Sequence, residues 1–219
     1  FLSSLRRDNF FKRFLNTHDI KLTSSISFES SFIEKNIIIY IPSKLLLPNN
    51  PCFIQSTIDN SKKLSFLVKG VSIFLINDNS FKIKLATELA SICGQRVLIE
   101  SPPTLDNQIV FSSYDWWINK LYLICPPDQI IIPLLPFPNM VEPINQETIS
   151  SLKNQSNNWF REFMLPEAFE LIDMAVSPLR RNSGKLIFLD GRISNRKWGR
   201  DMLEMIQPQK LINYMYPFD

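Results

Sequence analysis

The segment from Val71 to Glu100 constrains the fold more than any other part of this chain. Val71 to Ile76 (VSIFLI) is wholly apolar, and Asn77-Asp78-Asn79-Ser80 follows with several side chains able to cap a helix. Phe81 to Cys93 then repeats apolar residues at helical spacing, with Ile83, Leu85, Leu89 and Ile92 facing inward, and Gly94 closes the run. Arg96 to Glu100 (RVLIE) is a second short apolar stretch. Strand, helix and strand in that order describe a parallel pair, because parallel strands need a crossover connection. Gln108 to Ser112, Gln129 to Pro133, Lys185 to Leu189 and Asn36 to Ile41 read as further strands. The sequence therefore predicts an α/β domain with a mostly parallel sheet of about five to seven strands, flanked by helices on both faces. Pro133 is awkward inside a central strand, since it cannot donate to a ladder.

Helices are predicted over residues 1–20, 52–67, 146–163 and 165–179. Another is predicted from a Ser194 cap through Ile206, stopped by Pro208. The tail from Lys210, with Leu211, Ile212, Tyr214 and Tyr216, is expected to fold back onto the domain. A chain of 219 residues with 45% hydrophobic content can bury one substantial core. Residues 1–219 thus read as a single domain, with 1–50 as an entry segment and 51–219 as the core. The chain begins at Phe1 rather than Met, which reads as a fragment or an incomplete gene product.

Net charge of +3 permits nucleic-acid contact without arguing for it. The charge is uneven, however. Arg180, Arg181, Lys185, Arg192, Arg196, Lys197 and Arg200 crowd one segment, against Asp190 alone. Such a run is either a solvated helix face or a patch that meets phosphates. Cys52, Cys93 and Cys125 are too far apart for a zinc or disulfide framework and suggest reduced thiols in a cytoplasmic protein. His18 has no metal-ligand partner near it, so no metal site is expected. No apolar run approaches the roughly 20 residues that span a bilayer.

Leu165 to Arg192 concentrates the candidate chemistry. Leu165, Phe169, Ile172, Val176 and Leu179 form one helix face, and Pro166 suits its first turn. Arg180 and Arg181 end that helix, and Asn182-Ser183-Gly184 supplies the turn. Lys185 to Leu189 then delivers Asp190 and Arg192 to the carboxyl edge of a strand, where ligands bind in parallel sheets.

This stretch resembles the end of the second RecA-like domain in superfamily 2 DNA helicases of the XPD/DinG type, in the flavour of diverged cyanobacterial members. There, L-P-x-A opens a helix ending in Q-x-x-G-R-x-x-R, followed by a strand finishing in D-x-R and a helix with an aromatic-Gly pair. The counterparts are Leu165-Pro166-Glu167-Ala168, Met174 to Arg181, Asp190-Gly191-Arg192 and Trp198-Gly199. Gln129 to Phe137 (QIIIPLLPF) is similar to the family's strand running into L-P-F, and Ser113-Tyr114-Asp115-Trp116-Trp117 stands where F-W-E-G-x-D is usual. In the last helicase motif Met174 replaces Gln, Ser177 replaces Gly and Pro178 replaces the first Arg, while Arg181 is kept.

The resemblance implies a P-loop-type fold and a role in an ATP-dependent DNA helicase. Its phosphate loop and magnesium carboxylates would lie on an N-terminal RecA-like domain, in the same or another chain. Neither G-x-x-x-x-G-K-S/T nor D-E-x-H occurs here, so ATP and Mg are expected only through that other domain. On this reading Arg181, with Arg180 as a substitute, is the candidate catalytic cation for a γ-phosphate. Alternatively both arginines satisfy helix-end carbonyls and the helix dipole. Asn77, Ser112, Trp116, Trp117, Arg192 and Arg196 are the candidate contacts to weakly bound single-stranded DNA. One of the two tryptophans is expected to be core, and Asp190 and Arg192 can equally pair with each other. The competing function is a non-catalytic RecA-like module for binding or assembly. No membrane partner is expected.

Overall fold

The structure, a computed structural model, describes residues 34–67, 70–121 and 124–212. The helix expected over residues 1–20, with His18, and the residues Tyr214 and Tyr216 lie outside them. The described residues belong to one compact unit.

Most strands form where short apolar runs meet a turn signal. They are β1 (Ile37–Tyr40), β2 (Ser72–Leu75), β3 (Val97–Ile99), β4 (Ile109–Ser112), β5 (Gln129–Ile132), β6 (Lys185–Phe188) and β7 (Gln209–Ile212). All are parallel in one seven-stranded sheet of order β3-β4-β2-β5-β6-β1-β7. β2, β4 and β5 are buried along their whole length, as a parallel sheet covered on both faces requires. Phe74 and Phe111 stack across β2 and β4 with ring centroids 4.6 Å apart. β5 stops at Ile132, so Pro133 falls just beyond the ladder and costs it no hydrogen bond.

The helices are α1 (Phe53–Leu67), α2 (Asn79–Cys93), α3 (Tyr114–Lys120), α4 (Pro143–Asn154), α5 (Leu165–Val176), α6 (Leu179–Asn182), α7 (Arg192–Asn195) and α8 (Lys197–Met205). α2 is capped by Asp78, whose carboxylate accepts from the Phe81 N–H at 2.9 Å. Several expectations need correction. Ser194 caps no helix, since it lies inside α7 and α8 starts afresh at Lys197. Ile83 and Ile92 on α2 are exposed and do not face inward. The helix predicted over 146–163 is two pieces, broken where Ser156 adopts a left-handed φ of 59°. A wide turn over Phe160–Met164 then leads into α5. Pro178 splits the predicted 165–179 helix, because a proline ring clashes with the preceding turn. Finally, the start of the tail is a parallel edge strand, β7, which charged and polar residues hid from period-two reading.

β2 leads outward to β3, whereas β5 leads the other way to β6. The point between β2 and β5 is therefore the topological switch, where open α/β sheets offer a crevice beyond their strand ends.

Candidate nucleic-acid interface

The predicted site residues fall on two opposite edges of the sheet. α5 runs back from the strand ends, so its C-terminal side reaches the strand starts. Arg180 lies there: its carbonyl accepts from the Lys35 N–H just before β1, and its Nε donates to the Gln207 carbonyl just before β7. Its guanidinium also bonds Asp173 on α5 at 2.7 Å and is almost wholly buried. Arg181 beside it is exposed. Asp190 and Arg192 directly follow β6 and so occupy the other edge. The expected single face of cations from Arg180 to Arg200 is thus divided between the two ends of the strands.

At the strand-end edge, Asp190 is fully buried and accepts from the Leu135 N–H, the Arg192 N–H and the Arg192 guanidinium, the last at 2.6 Å. The same guanidinium lies 4.8 Å from the centre of the Phe137 ring. Gly191 makes this turn possible, since a Cβ there would meet the Leu46 carbonyl oxygen at 2.5 Å. Arg192 is therefore a clamp between β6 and the L-P-F segment, with only 25% of its side chain exposed.

Ser112 is fully buried, with no hydrogen-bond partner for its Oγ. Trp117 is 1% exposed and donates its indole N–H to the Ala175 carbonyl at 2.8 Å, which leaves no face for a base. These two expectations of DNA contact are corrected: both side chains are core. Trp116 is half-buried on α3, and Asn77 is exposed while its Oδ1 accepts from the Tyr114 N–H. Burial first, and then the negative charge of Asp190, hold the Tyr114 hydroxyl well above the ordinary phenol range.

Arg196, Lys197 and Arg200 are exposed on and before α8, and among the described residues none of the three is ion-paired. Next to them is a cluster that no sequence motif marks as a site. Phe137, Phe160 and Trp198 meet with centroids 5.4–6.0 Å apart, and Trp159 packs edge-on against Phe160. The available signal was the position of Trp198 directly after Arg196-Lys197.

No family model matches the chain. A stretch of 86 residues is 28% identical to the ATP-dependent DNA helicase DinG of Photobacterium profundum, covering 38% of this chain and 12% of that protein. The solved structure of S. tokodaii Xpd4 superposes with a TM-score of 0.52 at 14% identity, over 89% of this chain and 42% of that one. An apo XPD structure gives 0.50 at 14% identity, over 83% and 40%. The chain shares the RecA-like fold of these XPD structures. It spans less than half the length of each of these proteins.

The switch-point crevice is a shallow groove of about 320 Å³. Phe53, Ile54, Phe81 and Leu134 line it, with Asp78 and Lys84 among the polar residues. Its helix end does not suit a nucleotide phosphate. The N–H of Phe81 and the hydroxyl of Ser80 both donate to Asp78 and hold its carboxyl below the usual range, so an anion already caps α2. Among the described residues no group of three or more His, Cys, Asp or Glu could hold a metal ion. No helix among them is long and apolar enough to cross a membrane.

Proposed function

We propose that this chain is the C-terminal RecA-like domain of an ATP-dependent DNA helicase. It binds single-stranded DNA weakly at its strand-end edge and completes an ATP site with a first RecA-like domain. The observation that carries this reading is the row Arg196, Lys197 and Arg200. Among the described residues these three exposed cations have no acidic partner, and they stand at the carboxyl edge of a helicase-type sheet. Such cations neutralise phosphates and read no sequence. At the opposite edge the exposed Arg181 is the guanidinium available to a terminal phosphate held, with Mg, by the other domain. Arg196 and Asn77 remain the polar contacts proposed for the DNA backbone.

A non-catalytic binding module is the second reading. Its support is Arg180, whose guanidinium is already bonded to Asp173 and Gln207 and so is not at hand for a nucleotide. The test joins this chain to a first RecA-like domain from its own gene and measures ATP hydrolysis with and without single-stranded DNA. DNA-stimulated turnover abolished by Arg181→Ala supports the motor. A well-folded two-domain protein that binds DNA without hydrolysing ATP supports the module.

A further inference from the structure

The aromatic cluster beside α8 has features that a satellite core does not need. Phe137, Trp159, Phe160 and Trp198 are each only half-buried, although they pack against one another. Cations surround them. Lys153 lies 5.5 Å from the Trp159 ring, Arg192 covers Phe137, and the exposed Arg161, Arg196 and Lys197 are sequence neighbours of Phe160 and Trp198. Gly199 fixes how α8 is seated, since a Cβ there would come within 1.9 Å of the Ile193 carbonyl oxygen, so only glycine lets α8 sit this close to α7. Trp198 is thereby held at a set angle, edge-on to Phe137 at an interplanar 84°. Immediately upstream of it stand two phosphate-seeking side chains.

We infer that Trp198 is a stacking platform for an unpaired base of single-stranded nucleic acid, with Arg196 and Lys197 gripping the flanking phosphates. The inference rests on the nucleic-acid reading above and deepens it, moving the aromatic contact from the Trp116–Trp117 pair to α8. A duplex does not fit, because its base faces are already stacked, whereas a single strand offers every face. Aromatic stacking tolerates all bases, so the site is indifferent to sequence.

The test uses the 219-residue chain and a fluorescein-labelled oligothymidylate, followed by anisotropy, with an abasic oligomer of equal length as the second probe. Trp198→Ala is expected to weaken oligothymidylate binding about ten-fold with the salt slope unchanged, while abasic binding stays as in the wild type. Trp198→Phe, which keeps a ring and guards against misfolding of the alanine variant, should restore most of the affinity. Trp116→Ala should bind as the wild type does. If the wild type binds neither probe, the nucleic-acid reading falls and the platform with it. If the wild type binds both probes and a folded Trp198→Ala variant binds oligothymidylate equally well, the platform falls while the phosphate contacts stand.

Discussion

Asp190 is wholly removed from water, and the guanidinium of Arg192, two residues later, closes over it at 2.6 Å. A carboxylate with no exposed surface persists only when its charge is paired and hydrogen-bonded. Here four donors converge on it, from Leu135 and from the backbone and side chain of Arg192. The couple locks the end of β6 to the L-P-F segment, which is a structural task at the edge where ligands bind.

Removing either partner should therefore be felt in stability before it is felt in binding. Arg192→Ala leaves Asp190 buried without its cation and should cost about 3–5 kcal/mol, read from the urea midpoint with the slope unchanged. A variant as stable as the wild type would show that Arg192 is a surface cation after all.

Trp117→Ala should likewise act on the core. The indole fills space between α3 and α5 and donates to the Ala175 carbonyl. Its loss should destabilise by about 3–5 kcal/mol, with no effect on nucleic-acid affinity per folded molecule. Calorimetry and anisotropy on the same sample separate the two effects.

Glu100 gives the domain an acid-sensitive joint. Lys82 donates to its carboxylate at 2.5 Å, the Ser113 N–H donates at 3.2 Å, and the side-chain bond from Lys82 is the chief reason its carboxyl sits below the usual 4.5. A lowered folded pKa means stability that is present above the unfolded value and is lost as pH falls through the folded one. The stability difference between wild type and Glu100→Gln should hold steady at neutral pH and shrink progressively below pH 4.5. Denaturant midpoints measured at a series of pH values check the sign. A difference that grows on acidification would contradict it.

How much of this was legible beforehand follows from the kind of residue involved. Strands such as Ser72–Leu75 and Ile109–Ser112 announced themselves, because burial on both faces demands unbroken apolar runs. β7 did not, since Gln209 and Lys210 carry edge positions that need no apolar side chain. The candidate site was harder. Arg180 and Arg181 are adjacent in sequence, yet one is sealed against Asp173 and the other faces solvent, a difference set by helix phase and a partner seven residues upstream. Trp116 and Trp117 pose the same problem, and only the packing of α3 on α5 decides between them. Trp198 joins Phe137 and Phe160 only once the chain has folded, so no local pattern linked them.

The most direct test of the account is the salt dependence of single-stranded DNA binding by the whole chain. The exposed cations at the strand-end edge should give log K falling linearly with log salt, by about 0.7 for each neutralised phosphate. Arg196→Ala and Lys197→Ala should each flatten that slope by about one contact's worth, without lowering the melting temperature. An affinity independent of salt, or no binding at about 50 mM salt, would contradict the claim that this edge meets nucleic acid.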